Sequence, residues 1–275
     1  MKQGDFTEMA KHYHNRPAYS PFLLSKLIAC INEQGLANED LQVVEVGAGT
    51  GKLTELLTRD FHLAVTAVEP NDAMRAEGEK ATQGLPIKWL KGSGESTNLP
   101  ANSADWLIMA SSFHWTDPSK SLPEFARVLK TRESRKCGES HAQIGGGESH
   151  SYFSILYNPR DIKEDSVFYE IEQEIKSIVP ELNRVSSGLQ NTKKWDEVLV
   201  STGDFTDCFF MECAYKETWS KERYMGAWHS VNDIQAQAGQ KRWEQILAMI
   251  ESKIAPFDEL EIPYKIRAWT ARKVN

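Results

Sequence analysis

The sequence predicts an α/β fold in which helices cover both faces of an open, mostly parallel sheet. Short apolar runs that are typical of buried strands alternate with stretches of helical apolar spacing. The first apolar run leads directly into a glycine-rich turn and then into a helical stretch. Seven segments are predicted as strands, namely residues 41–47, 63–69, 87–91, 104–110, 152–157, 207–218 and 262–274.

The predicted helices lie between these strands. Ser20 and Pro21 suit the start of a helix that runs to about residue 34. Pro70 ends the second strand, and Asn71 or Asp72 can cap the next helix. Further helices are predicted over residues 52–59, 119–130, 163–179 and 193–202 and over most of 221–254.

Composition limits the classes of protein to which the chain can belong. Its 275 residues are 40% hydrophobic and 26% charged, which predicts one large domain or a domain with a lid. The net charge of −7 disfavours nucleic acid as a main partner. No apolar run approaches the ~18 residues of a membrane span, and no apolar core of a signal peptide is evident near the N-terminus. Four cysteines in no zinc-like spacing fit reduced thiols, so we expect a cytoplasmic protein without a membrane partner.

Residues 131–150 break the alternating pattern. The segment is rich in glycine and polar residues, and it contains Gly-Glu-Ser-His twice, at 138–141 and 147–150. A solvated loop is the favoured interpretation. The alternative is a metal site built from Cys137, Glu139, His141, Glu148 and His150, but a glycine-rich loop offers metal ligands no fixed geometry.

The glycine-rich turn is the strongest functional signal. A buried strand from Val43 leads into Gly47, Gly49 and Gly51, which let the backbone approach a ligand closely. Backbone N–H groups at the start of the following helix favour polar or anionic ligand groups. Position 52 is lysine, where a dinucleotide fingerprint needs glycine, and Leu53 stands where a P-loop needs serine or threonine.

Glu69 is the second signal. It stands at the end of the next predicted strand, 18 residues after Gly51. A carboxylate there can accept hydrogen bonds from both hydroxyls of a ribose. Together with the glycine turn, it predicts a nucleoside-binding edge.

On these residues the sequence resembles the class I S-adenosylmethionine (SAM)-dependent methyltransferases, in the small-molecule branch that includes trans-aconitate and quinone-biosynthesis methyltransferase-like proteins. In the family, the helix that ends in Val128-Leu129-Lys130 is usually followed by Pro-Gly-Gly, whereas residues 131–150 stand there in this chain. The matching segments are Glu45–Gly51, Glu69–Asn71, Gly92–Glu95, Leu99–Pro100, Ala104–Asp105, Ala110–Trp115, Phe125–Lys130, Tyr13 with Arg16–Pro17 and Tyr19, and Ile262–Tyr264 with Trp269.

The resemblance implies a Rossmann-like seven-stranded sheet with an antiparallel last strand. It implies a single domain over 1–275, with an N-terminal helical lid (1–35), a SAM-binding half (36–130), an atypical loop (131–150) and the remainder of the sheet (151–275), which carries a helical lid near 160–205. SAM is the implied cofactor, and no metal site is predicted. The implied cofactor-binding residues are Glu45, Gly47, Ala48, Gly49, Thr50, Gly51, Glu69, Pro70, Gly94, Glu95 and Ser111.

The acceptor side is implied to involve His114, as a general base or as a pocket wall. Trp115 is expected to face SAM or the substrate or else to pack in the core. Tyr13 and Tyr19 would bound the pocket or pack helices, and Arg16 would bind an acidic group of the substrate or stay a surface charge.

The resemblance favours methyl transfer to a small molecule, with oxygen as acceptor, by in-line displacement. A SAM-binding protein without turnover and a protein methyltransferase stay open as alternatives. An NAD-dependent oxidoreductase is disfavoured by the glycine spacing, and an RNA methyltransferase by the acidic charge. The sequence leaves the acceptor and the oligomeric state undetermined.

Overall fold

The computed structural model describes residues 6–33, 35–132, 150–183 and 194–274. The chain divides into two compact units. The sheet unit comprises Tyr19–Tyr157, Lys193–Cys213 and Ile266–Asn275, and the helical unit comprises Met1–Ala18, Asn158–Thr192 and Ala214–Lys265. Residues 133–149 of the atypical loop and residues 184–193 of the predicted lid lie outside the described residues, and the predicted division of a single domain stays a prediction.

The sheet confirms the predicted fold class. Its seven strands are arranged in the order β3-β2-β1-β4-β5-β7-β6. The first five strands are parallel to their neighbours, and β7 pairs antiparallel with β5, as predicted for the last strand. The strands are β1 (Gln42–Val46), β2 (Ala64–Val68), β3 (Lys88–Leu90), β4 (Trp106–Ala110), β5 (Tyr152–Tyr157), β6 (Phe205–Trp219) and β7 (Leu260–Lys273).

Local sequence sets the helices of the sheet unit. Ser20 caps the first of them by accepting from the Leu23 N–H group, with Pro21 in the first turn. Asn71 caps the third by accepting from two backbone N–H groups. These helices are α1 (Pro21–Ile31), α2 (Lys52–Arg59), α3 (Asp72–Ala81), α4 (Pro118–Val128) and α6 (Trp195–Leu199).

A core of aromatic and aliphatic side chains lies under the sheet. Phe113, Phe125 and Phe153 are at most 1% exposed, and their ring centroids lie 4.8–6.4 Å apart. Burial of such rings is the main stabilising contribution to a core, at about 1.5–3 kcal/mol for each large side chain. This packing fixes the segment after β4, to which Phe113 belongs.

The helical unit has its own core. Trp219, Tyr224 and Trp228 are each 2% exposed, and the Tyr224 ring contacts both tryptophan rings. Its elements are a 3-10 helix (Thr7–Asn15), α5 (Val167–Ile178), α7 (Lys221–Trp228), α8 (Asn232–Ile254) and parts of β6 and β7. Among the described residues, no helix combines the length and apolar character needed to cross a membrane.

Several predicted helix boundaries were wrong, each for a local reason. The first helix stops at Ile31 because the Asn32 side chain bonds the backbone of Leu36 in both directions. The helix predicted to reach residue 130 ends at Val128, since Leu129 leaves it to pair with Ala104.

The predicted helical region 221–254 is also interrupted. Residues 229–231 separate α7 from α8, and Gly239 adds a kink inside α8 with φ 70°. The helix predicted from residue 163 begins at Val167, because Ser166 caps it.

Candidate functional site

The glycine turn after β1 has a backbone shape that other residues rarely adopt. Gly47, Gly49 and Gly51 have φ angles of 69°, 59° and 79°, in the left-handed region that glycine enters without steric cost. The N–H groups of Gly47 and Ala48 both donate to the Val68 carbonyl oxygen, at 2.8 and 3.1 Å. The turn is therefore fixed to the end of β2.

The same turn lies against the segment that follows β4. A Cβ atom at Gly47 would lie 2.7 Å from the Cβ and Oγ atoms of Ser112, and one at Gly51 would lie 2.9 Å from the Trp89 ring. Ser112 Oγ also donates to the Val46 carbonyl oxygen at 3.2 Å. Any side chain at Gly47 or Gly51 would force these neighbours to move, so the cradle requires glycine.

Glu69 braces the turn from β2. Its Oε2 atom accepts from the Gly49 N–H group at 2.8 Å, and its Oε1 atom accepts from the Asn71 N–H group at 2.9 Å. The side chain is 7% exposed. Burial raises the pKa of Glu69, and the two backbone N–H groups oppose that rise. Each carboxylate oxygen keeps a lone pair for a ligand hydroxyl. Three predicted residues flank these groups: buried Ala48 and Thr50 and exposed Pro70.

Glu45 is a second buried carboxyl group at this edge. It lies in β1, two residues before the glycine turn, and is 2% exposed. The Thr54 hydroxyl of α2 donates to its Oε2 atom. Burial raises the pKa of Glu45 to about 8; the Thr54 hydroxyl lowers it, and the nearby Glu69 carboxylate raises it further. The folded structure therefore makes the Glu45 carboxyl group less acidic than an ordinary glutamate.

Ser111 connects the glycine turn to β5. It has a positive φ of 55° and is exposed at the end of β4. Its N–H group donates to the Leu156 carbonyl oxygen at 2.7 Å. Because Ser112 contacts Gly47, the carboxyl ends of β1, β4 and β5 meet at this point. Ligands of open α/β sheets bind at such an edge.

His114 and Trp115 lie in a short 3-10 helix after β4. The His114 ring lies 4.9 Å from the Trp115 ring and 5.8 Å from the Tyr157 ring, measured between centroids. Tyr157 stacks on Trp195 at 5.4 Å. Trp115 is 45% exposed, so the core-packing interpretation of this residue was wrong. The group forms a half-open aromatic wall beside Ser111.

Gly94 and Glu95 are held by the segment before α4. A Cβ atom at Gly94 would lie 2.6 Å from the Thr116 Cγ2 atom. The Oε1 atom of Glu95 accepts from the Asp117 N–H group at 2.9 Å. The Glu95 carboxylate thus supports the N-terminus of α4, and its role toward adenine stays a prediction.

The predicted lid residues fall in both units. In the helical unit, Arg16 donates from Nε to Ser230 Oγ at 2.5 Å and from Nη2 to the Ser230 carbonyl oxygen at 2.8 Å, and its guanidinium lies 5.2 Å from the Tyr13 ring centroid. Arg16 is therefore not the free surface charge that was one interpretation. Tyr19 is half-buried at the start of the sheet unit. Of the alternative metal ligands, only His150 is described, and it lies 3.3 Å from Arg272.

Sequence reasoning missed two residues of this edge, Thr54 and Tyr157, whereas it placed Ser112 beside Ser111 in the loop after the fourth strand. The Tyr157 hydroxyl is buried and faces the backbone of His114, and burial raises the pKa of Tyr157. A polar residue at the last position of a predicted buried strand is a signal that could have identified Tyr157. No local signal pairs Thr54 with Glu45 across nine residues.

Comparison with known proteins agrees with this geometry. Residues 44–132 match the family model of a methyltransferase domain. An uncharacterized methyltransferase of Mycobacterium tuberculosis (strain H37Rv) is 34% identical over 119 residues, 42% of this chain and 43% of that protein. The match thus spans less than half the length of that relative. The malonyl-acyl-carrier protein O-methyltransferase of Paenibacillus sp. (strain JDR-2) is 25% identical over 261 residues, 88% of this chain and 86% of that protein.

Solved structures share the fold. A protein from Anaeromyxobacter dehalogenans assigned as a type II methyltransferase superposes with a TM-score of 0.57 at 17% identity, over 94% of this chain and 97% of that one. Haemonchus contortus phosphoethanolamine N-methyltransferase 2 gives 0.51 at 13% identity, over 98% and 60%. Residues 44–132 thus match a methyltransferase domain, and the glycine turn and the strand order agree with that match.

Proposed function

We propose that this protein transfers the methyl group of SAM to an oxygen atom of a small-molecule acceptor by in-line displacement. One observation carries the proposal. The buried Glu69 carboxylate holds the N–H group of Gly49 in a turn that lies against the end of β4. A carboxylate beside a backbone cradle, at the edge where α/β sheets bind ligands, supports the proposal that Glu69 accepts hydrogen bonds from a ribose.

The residues present fit SAM in shape and in charge. The turn from Gly47 to Gly51 is a cradle that a Cβ atom at Gly47 or Gly51 would disturb, and its backbone would hold the methionine part. Glu69 would accept from the ribose hydroxyls, and the backbone near Gly94 and Glu95 would meet adenine. Two buried carboxyl groups, Glu45 and Glu69, suit a ligand that carries a positive charge.

When bound, SAM supplies an electrophilic methyl group. The chain's own contribution is to align the acceptor and to exclude water, which can provide much of the rate. Ser111 and the aromatic wall of His114 and Trp115 lie where the acceptor would approach. His114 would either take the proton of the acceptor or shape the wall, and a transfer to a carboxylate oxygen would need no base.

Oxygen as acceptor is supported by the Paenibacillus relative, which is named as an O-methyltransferase and aligns over most of both chains. Trp115 and Tyr157 give this edge a partly apolar surface with one buried hydroxyl. Such a surface suits a small organic molecule better than a strongly charged polymer.

The test is calorimetric titration of the full chain with SAM, with its by-product S-adenosylhomocysteine (SAH), and with NAD as the control ligand. We expect saturable binding of SAM and SAH and none of NAD. Transfer of labelled methyl from SAM to small carboxylic and hydroxylated compounds would then identify the acceptor. A folded protein that does not bind SAM would contradict the proposal, and binding without any transfer would favour the interpretation of a protein without turnover.

A further inference from the structure

The 3-10 helix Thr7–Asn15, called the flap below, packs on α7 within the helical unit. A Cβ atom at Gly226 of α7 would lie 2.4 Å from the Asn15 Nδ2 atom, so any side chain at that position would collide with Asn15. The Asn15 side chain also donates to the His12 carbonyl oxygen at 3.3 Å. The flap is thus seated on a glycine of α7.

The chain directly after the flap is anchored by hydrogen bonds. The Ala18 N–H group donates to Glu217 Oε1 at 2.9 Å, and the Ala18 carbonyl oxygen accepts from the Tyr215 hydroxyl at 2.6 Å. Within the flap itself, the buried side chains are Met9 and Ala10. Because so little apolar area holds the flap, its contact with α7 is weaker than its anchor.

Two histidine rings meet where the flap contacts α7. His12 of the flap and His229, the C-cap residue of α7, have ring centroids 5.3 Å apart and planes tilted by 34°. Both side chains are half-buried. The titratable groups that act on His12 are His229, Lys11 and His14, and each of them is positive when protonated.

The elements around this histidine pair carry more positive than negative charge. Glu8 of the flap and Glu222 of α7 are exposed, and neither forms an ion pair with a histidine among the described residues. Asp233 of α8 is buried, and its Oδ1 atom accepts from the Ile234 N–H group at 3.0 Å. The other titratable side chains of the flap, residues 16–18 and α7 are the cations Lys11, Arg16, Lys221 and Arg223 and the neutral tyrosines Tyr13 and Tyr224.

We propose that His12 and His229 form a proton-operated latch, which holds the flap on α7 while the two imidazoles are neutral and releases it when both are protonated. Neutral rings pack against each other at little cost, whereas two imidazolium rings at this distance repel. Burial and the neighbouring positive charges lower the pKa of His12 from its ordinary 6.5. The released flap therefore binds protons more readily than the docked one, and the contact weakens as pH falls below that value.

Hydrogen–deuterium exchange of the full chain, followed by mass spectrometry, measures the release. Peptides from the flap are compared at about pH 7.5 and about pH 5.5, with each rate divided by that of an unstructured peptide of the same sequence. In the wild type we expect the protection of the flap to fall on the order of tenfold at the lower pH, while peptides from α8 keep theirs. In H229Q the fall should be at most about twofold, because His12 then meets no second charge.

H14Q is the matched control. His14 is exposed on the same flap, and its ring donates to the Lys11 carbonyl oxygen at 2.8 Å, so H14Q should respond to pH as the wild type does. A salt series on the wild type covers the case in which H229Q does not fold. Raising the ionic strength from about 0.05 M to about 0.5 M should reduce the loss of protection in acid, since salt screens the repulsion between partly exposed rings.

The latch predicts a loss of protection that is confined to the flap, smaller in H229Q and weaker in high salt. Equal protection of the flap at both pH values in the folded wild type would overturn it, as would an equal loss in the wild type and H229Q. A loss that salt does not change, or one that extends through α8, would also contradict it. The release needs no cofactor, so these results are independent of the proposed methyl transfer.

Discussion

The carboxyl edge of the sheet is built in two ways. At the ends of β1 and β2, the backbone itself forms the site, because three glycines with positive φ and the Glu69 carboxylate fix one turn. At the ends of β4 and β5, side chains from distant segments form it, as with His114, Tyr157 and Trp195. A backbone cradle recognises a constant ligand, whereas a wall of side chains can vary with the acceptor.

The two halves meet at Gly47 and Ser112, so G47A is expected to have the largest effect. Its methyl group would lie 2.7 Å from Ser112, and its backbone would be held at φ 69°. Strain of this kind costs about 1–3 kcal/mol before the steric clash is added, so we expect a clear loss of thermal stability and a loss of SAM affinity of at least about tenfold. Thermal unfolding and calorimetry measure both.

G84A is the matched control for that variant. Gly84 has φ 87° but open space around its Cα atom, so alanine there meets the backbone strain without the clash. Equal losses for G47A and G84A would show that the contact with Ser112 contributes nothing. The double variant with Ser112→Gly should recover part of the loss at Gly47.

The pH dependence of the free energy of unfolding tests the electrostatic environment of Glu45. The pKa of Glu45 is about 8 in the folded chain, against an ordinary value of 4.5. Between these values the folded protein keeps a proton that the unfolded chain has lost. The free energy of unfolding therefore falls as pH rises, by up to about 1.4 kcal/mol per pH unit.

In E45Q this contribution to the slope should be absent. Denaturant unfolding of both proteins between pH 5 and pH 8, the range set by that pKa, gives the difference. Parallel curves for the wild type and E45Q would mean that the carboxyl group is ionised in the folded state.

The side-chain wall should tolerate change better. Trp115 is 45% exposed, so W115A is expected to alter the free energy of unfolding by only about 0.5 kcal/mol. W115A should lower the affinity for the acceptor in steady-state kinetics. A large loss of SAM affinity in W115A would move this residue from the acceptor side to the cofactor side.

H114A should have the smallest effect on the cofactor. SAM affinity is expected to stay within about twofold of the wild type, because the His114 ring contacts Trp115 and Tyr157 rather than the glycine turn. Once an acceptor is identified, the kinetics of H114A separate the two roles of His114. If His114 is a base, H114A loses the rise in turnover with pH; if His114 only shapes the wall, H114A changes the KM for the acceptor.

The difference between the halves also explains what the sequence could predict. The glycine turn and Glu69 lie close together along the chain, and their residue types dictate local backbone geometry. The fold class follows from the alternating pattern that surrounds them, whereas the strand order had to be read from the structure. By contrast, the contact of Tyr157 with His114 spans 43 residues of sequence, and no local pattern encodes it.

The predicted ends of two helices were wrong because other interactions of the chain ended each helix earlier. Asn32 ends α1 through its bonds to Leu36, and Leu129 leaves α4 to pair with Ala104. Helix length was thus decided by polar and pairing interactions that hydrophobic periodicity does not detect.

In the proposed site, Glu69 joins the glycine turn to the cofactor. The decisive measurement is SAM titration of E69A beside the wild type, with exposed Asp72→Ala as the control. E69A is expected to fold and to bind SAM more weakly by about 1–3 kcal/mol, while Asp72→Ala binds as the wild type does. Unchanged SAM affinity in a folded E69A would contradict the claim and remove Glu69 from the site.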